Sequence, residues 1–291
     1  MPHMSRAPLE ALWGPPWECR VAVQSQSAKI GFRMKLSAFI LCSLSVVSCT
    51  PAPTQEQEAL SEEVRALIEK ASGGDAEAQH DLGLRCSFGE GVPEDDAEAV
   101  TWFRKAADQG HARAQYELGF MYAGGIGVIE DAGEAAKWVR LAADNGLADA
   151  QWDLGRKYSL GEGVPANDKQ AAKWYRKAAD QGLVSAQLIL GVMYAGGWGV
   201  LEDDEEAAKW YRKAAEQGDA DAQFDLGSMY AAGEGLPKDD VAAYAWWNIA
   251  QGGGSSEAKE AMGDLAKQLD SERIAEALKL SRELLEQIKK N

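Results

Sequence analysis

The hexapeptide KAADQG occupies Lys105–Gly110 and recurs letter for letter at Lys177–Gly182. LAADNG stands between the two copies at Leu141–Gly146, and KAAEQG follows at Lys213–Gly218. Each copy begins thirty-six residues after the one before it. A fixed period of this length marks a solenoid of supersecondary units, none of which can bury its apolar face alone. Set on that period, the chain divides into five units: residues 75–110, 111–146, 147–182, 183–218 and 219–254.

Every unit carries two helical patterns. In the first, Ala114, Leu118 and Met121/Tyr122 share one face; in the second, Ala135, Val139 and Ala142 do the same. Trp102, Trp138, Trp174, Trp210 and Trp246 add a large apolar group at a constant place in the second helix. Asp95, Asp131, Asn167, Asp203 and Asp239 stand where that helix needs an N-cap. Glu98, Glu134, Gln170 and Glu206 follow three residues later, as a capping box requires, and Ala242 breaks the pattern. Gly110, Gly146, Gly182 and Gly218 follow the helix as stop signals. KAADQG is therefore the end of a helix, its stop and the turn into the next unit. A second set of glycines, Gly83, Gly119, Gly155, Gly191 and Gly227, falls inside the first helix, where Gly costs about 1 kcal/mol against Ala. A cost repeated in every unit predicts close contact with the partner helix.

The units resemble the tetratricopeptide-like superfamily through Leu118-Gly119…Tyr122 and Ala171…Tyr175…Ala178. They depart from it at Gln115, Gln151, Gln187 and Gln223, where that superfamily has Trp, and in the long glycine-rich turns GGIGVIED, GEGVPAND and GGWGVLED. These departures match Sel1-like repeats. The resemblance implies an all-α fold: a right-handed α-solenoid of stacked antiparallel helix pairs, five 36-residue repeats with helical caps. Residues 61–74 read as a half-repeat cap before the array. Residues 255–291 read as a worn first helix followed by a capping helix with Ile274, Leu278, Leu285 and Ile288 on one stripe. The Gly252–Ser256 stretch is in register with the inter-repeat turns.

The amino end is different. Residues 1–33 lack periodicity and read as an over-extended start or a disordered extension. Residues 34–48 begin with Met34-Lys35 and continue as an uncharged apolar run, which has the anatomy of a signal peptide. The run ends in Val46-Val47-Ser48-Cys49, which resembles a bacterial lipobox. That resemblance implies cleavage before Cys49 and lipid on its sulfur, with residues 49–60 as a lipidated tether. Thr50 after the cysteine, in place of Asp, then points to the outer membrane, facing the periplasm of a bacterial cell envelope. An ordinary secretory signal and a short membrane anchor are the competing readings.

Composition excludes several functions. The net charge is −16, from 30 Lys+Arg against 46 Asp+Glu, and a signal cleavage would make the remainder more acidic. This disfavours nucleic acid, whose affinity rests on basic neutralisation, and leaves basic protein partners open. Four cysteines without a CxxC pair and three histidines predict neither a zinc cluster nor any other metal or cofactor. Cys86 takes the place of the repeat Tyr and is expected to be a small core residue without a disulfide. The glycine turns follow helices rather than strands, so they read as turns and not as phosphate loops. The EDD runs lack calcium-loop spacing. Asp81, Glu117, Asp153 and Asp225 recur with the period and read as a solvated face.

What varies inside the constant frame is one stripe of the first helix. Its first position reads His80, Tyr116, Trp152, Leu188 and Phe224; its second, four residues on, reads Leu84, Phe120, Arg156, Val192 and Ser228. In related solenoids this stripe lines the concave surface. These ten residues are the candidate contacts for a protein or peptide partner, and gap-filling between adjacent first helices is the alternative. The expected function is non-catalytic partner binding. Two other readings remain: a component of an envelope assembly, such as polysaccharide export, and a β-lactam-binding or β-lactam-cleaving enzyme. The second draws on Cys-rich relatives of the repeat family, whose paired cysteines this chain lacks.

Overall fold

A computed structural model describes the backbone of residues 55–290 and the side chains of residues 62–290. The signal, the lipidation at Cys49 and residues 1–54 lie outside the described residues. Thirteen α-helices and no strands make up the described part. The first, α1 (Gln55–Ser72), begins within the stretch read as a tether. The five units follow as α2 (Ala76–Phe88) with α3 (Asp96–Asp108), α4 (Ala112–Gly124) with α5 (Ala132–Asp144), α6 (Ala148–Leu160) with α7 (Asp168–Asp180), α8 (Val184–Gly196) with α9 (Asp204–Ala215), and α10 (Ala220–Ala232) with α11 (Asp240–Gly252). α12 (Ser256–Leu265) and α13 (Ser271–Ile288) close the chain. From α1 to α12 each helix packs on the next, so the array is a sequence of neighbour contacts.

The recurring letters now have physical causes. Asp95, Asp131, Asn167 and Asp203 each accept the backbone N–H three residues on, at 2.9–3.1 Å. The helical glycines lie directly against a second-helix side chain of their own unit. A Cβ on Gly83 would stand 2.6 Å from the Phe103 ring; on Gly155, 2.8 Å from Tyr175; on Gly191, 2.7 Å from Tyr211; on Gly227, 2.7 Å from Trp247. Gly119 faces the smaller Val139 at 2.7 Å and also the Ala135 carbonyl at 3.2 Å. The close helix approach expected from the sequence is therefore present in all five units.

The turn glycines do a different job. Gly163 has φ +70, and a Cβ there would lie 1.9 Å from the Ala132 carbonyl oxygen. The turn of one unit thus lies on the first residue of the second helix of the unit before. Gly127, Gly199 and Gly235 meet Asp96, Asp168 and Asp204 in the same way.

Two polar rows tie successive units together. Gln79, Gln115, Gln151, Gln187 and Gln223 are buried, and each donates to a carbonyl at the end of the preceding second helix: Ala71, Ala107, Ala143, Ala179 and Ala215, at 2.9–3.1 Å. The first four also accept, at 2.8 Å, an amide N–H from Gln109, Asn145, Gln181 or Gln217 at the end of their own unit's second helix. The Q and N of KAADQG and LAADNG are therefore linker groups that satisfy a buried amide. In the second row, Arg104, Arg140, Arg176 and Arg212 donate to the hydroxyls of Tyr122, Tyr158, Tyr194 and Tyr230 in the next unit. Each guanidinium lies 5.3–5.9 Å from its tyrosine ring centroid.

At the carboxyl end α13 packs on α11. Arg273 reaches Asp240 at 3.8 Å and Asn248 donates to Ser281 at 3.0 Å. Both pairs are thirty-three residues apart, so the two helices run parallel, as consecutive second helices do in an array. Leu284, Leu285 and Ile288 close over Trp246 and Ile249.

Candidate functional site

The variable stripe divides into two rows. In the first row Tyr116 packs on Val139, Ala142 and Leu154, and Trp152 on Ala178, Ala186 and Leu190. Phe224 stacks on Trp247, with ring centroids 6.4 Å apart. Tyr116 and Trp152 thus seat partly in the junction with the following unit, Phe224 lies on the second helix of its own unit, and all three keep partial exposure. His80 and Leu188, expected on the contact surface, are instead closed over at 5% and 8% exposure. His80 lies against Phe103 and His111, and Leu188 lies in the core formed by Ala207, Tyr211 and Leu226. The second row is half-buried throughout. Leu84 and Val192 rest on their local cores. The Ser228 hydroxyl donates to the Phe224 carbonyl at 2.9 Å. Phe120 is half-buried on the same face.

Arg156 belongs to a charged group in the third unit. Its guanidinium meets Asp153 at 3.1 Å and Glu162 at 2.8 Å, and the buried Lys157 approaches Asp153 at 3.9 Å. Asp153 is only 8% exposed. The reading of the recurrent acids as a solvated face therefore needs correction. Asp81 is exposed, but Asp153 is buried among cations, and Asp225 is half-buried. Desolvation raises the Asp225 carboxyl to about 7, helped by the charges of Asp221 and Asp219 and opposed by a hydrogen bond from the Tyr211 hydroxyl. The cause is position: Asp225 comes within hydrogen-bond reach of the Tyr211 hydroxyl on the preceding second helix, and Asp153 lies between Arg156 and Lys157 of its own helix.

Cys86 is the small core residue expected, 2% exposed, and burial pushes its thiol up to about 11, which makes it a poor nucleophile.

One constellation escaped the sequence reading. Glu77, His80 and His111 come together with one ligand-type atom of each within 4.8 Å of the others. Glu77 and His80 are three apart on α2, and His111 is the N-cap of α4. The His111 ring does two things at once. Its Nδ1 accepts the Ala114 N–H at 3.1 Å, and its Nε2 lies 2.9 Å from Glu77 Oε2. The histidines are distant in sequence, and only superposition of adjacent units brings them to one junction. The histidine in place of the Asp or Leu caps of other units was the available signal.

The Sel1 repeat pattern matches residues 76–111, 112–147, 148–183, 184–219 and 220–250, more than half of the chain. The chain belongs to the Sel1 repeat family. Among solved structures it is similar to a protective antigen of uropathogenic Escherichia coli with an SLR fold, at 38% identity and a TM-score of 0.69. The match covers 78% of this chain and 49% of that one. It is also similar to a Sel1 repeat protein of Oxalobacter formigenes, at 41% identity and a TM-score of 0.59, over 70% of this chain and 58% of that one. The Sel1 chain described here thus matches about half of the first relative's length and under two thirds of the second's. Comparison with curated proteins gives no match. Among the described residues of this Sel1 protein, no helix is long and apolar enough to cross a membrane.

Proposed function

We propose that this Sel1-repeat chain is a non-catalytic scaffold that holds a partner protein or peptide along its first-helix face. Sel1-repeat proteins in general serve as protein-interaction scaffolds. The observation that carries the reading here is the contrast between frame and stripe. Gln, Gly, Arg and Tyr recur because each makes the same contact in unit after unit, whereas the half-buried stripe changes residue at every step. Tyr116, Phe120, Trp152 and Phe224 supply apolar anchors and Arg156 a polar one. The net charge of −16 favours a basic partner. The scaffold is tethered by lipid on Cys49 to the outer membrane of a bacterial envelope and faces the periplasm. The relative described as a protective antigen fits a protein of the cell envelope.

Two experiments test this. Cross-linked capture from native membranes is run with the wild type and with Phe120→Asp/Ser228→Arg, after circular dichroism has shown both to be folded. A partner recovered with the wild type and lost with the variant supports the face. Equal recovery moves binding to another surface. For the anchor, a labelled palmitate analogue is expected on the wild type and absent from Cys49→Ser; a label that survives the substitution refutes lipidation at that cysteine.

A further inference from the structure

We infer that Glu77, His80 and His111 form a binding site for a first-row divalent transition metal, with Zn2+ as the reference ion, which clasps the first unit to the second. Two imidazoles and a carboxylate are a donor set such ions accept, with water completing the shell. Spacing places Glu77 and His80 on one face of α2, and the cap position of α4 brings His111 over them. The histidine rings lie 4.8 Å apart, centroid to centroid.

Comparison with the other junctions isolates this one. The same three places hold Arg113, Tyr116 and Leu147; Asp149, Trp152 and Leu183; Ser185, Leu188 and Asp219; and Asp221, Phe224 and Ser255. Elsewhere an apolar or aromatic side chain fills the junction. Here two imidazoles fill it, and His80 is buried with no hydrogen-bond partner on Nδ1. The Asp81 carboxylate lies 3.5 Å from that nitrogen. At that separation the two make no hydrogen bond, and closing the gap would orient the imidazole as a carboxylate orients a ligating histidine.

Binding needs the Glu77 side chain to swing inward and the His111 ring to leave its cap on the Ala114 N–H. Donor atoms around a tetrahedral Zn2+ lie roughly 3.3 Å apart, given metal–ligand distances of about 2.0–2.1 Å. The Glu77 side chain is largely exposed and free to swing inward. Neutral His111 carries its proton on Nε2, because Nδ1 accepts from Ala114. Ligation through Nε2 moves that proton to Nδ1. The α4 cap and the hydrogen bond to Glu77 are given up, and two metal bonds replace them.

The test is a Zn2+ titration of the tag-free full chain by calorimetry, with metal content measured after gel filtration. The variants are Glu77→Gln, His80→Phe and His111→Ser. Phe is the residue found at the equivalent position 224, and Ser255 caps α12 with its side chain at 3.1 Å, so both substitutions keep the local fold. The wild type is expected to retain one Zn2+ that each variant binds at least tenfold more weakly. Added Zn2+ is expected to raise the melting temperature of the wild type alone. No Zn2+ binding by the wild type, or equal affinity and equal melting shifts across all four proteins, overturns the assignment.

Discussion

At the scale of single residues, the first-helix glycines set how near the two helices of a unit can come. Gly155→Ala would drive a methyl group into the Tyr175 ring, and Tyr175 is fully buried and cannot turn away. Overpacking of this kind costs about 1–3 kcal/mol. Urea unfolding is therefore expected to show a lower midpoint for Gly155→Ala with an unchanged slope. Asp225 gives a second expectation, with an opposite direction. Its folded carboxyl is raised above the ordinary value of 3.8, to about 7. The protonated form is the one the fold favours, so its contribution is complete below pH ~4 and disappears as pH climbs through ~7. Asn imitates the protonated acid. Asp225→Asn is expected to melt with the wild type near pH 4 and above it at pH 8, by an amount worth roughly 2–4 kcal/mol. Equal melting at both values would mean that the carboxylate is solvated. These residues also mark what could be read from the sequence. Gly155 was legible because a position that repeats five times must have one cause. Asp225 was not, because its environment is set by Tyr211 of the preceding unit, fourteen positions away on another helix, and periodicity hides what is particular to one junction. The Glu77–His80–His111 group was hidden for the same reason.

At the scale of helices, the two members of each pair are held differently. Second helices begin with a side-chain cap in every unit. First helices do so only in part: Asp75, His111 and Asp219 cap, while Leu147 and Leu183 do not. The first helices α6 and α8 therefore rely on burial and on the glutamine row. Gln187→Ala would remove the tie between two units, although the Ala179 carbonyl keeps the Gly182 N–H at 3.0 Å and the exposed Gln217 amide keeps the Lys213 carbonyl at 3.4 Å. The loss of such a hydrogen bond costs about 0.5–1.5 kcal/mol, and hydrogen exchange is expected to accelerate first in α8. The helix pairs themselves were plain in the sequence, since apolar spacing, caps and stop glycines all agreed. The role of the glutamines was not, since a polar residue on a buried face has no reading until its acceptor is known. The last helix, α13, covers Trp246 and Ile249 with Leu284, Leu285 and Ile288. Removing residues 270–291 would bare that apolar face. Light scattering is expected to show the shortened chain as oligomers while the full chain stays dispersed.

At the scale of the whole described array, cohesion comes from neighbours alone. The glutamine row has a direction, because each amide reaches back to the unit before it. It also has an end. Position 253, where the earlier units have Gln109, Asn145, Gln181 and Gln217, is glycine. A duplicate of residues 147–182 inserted after Gly182 would find an acceptor behind it and a donor ahead of it, so a protein one unit longer is expected to fold, with a larger unfolding slope in urea. An insertion of half that length would meet neither. Recombination between misaligned copies of the coding sequence would produce the first kind of change in a single step. The number of units is thus open to rapid lengthening and shortening in a population, while the shape of each unit stays under tight constraint.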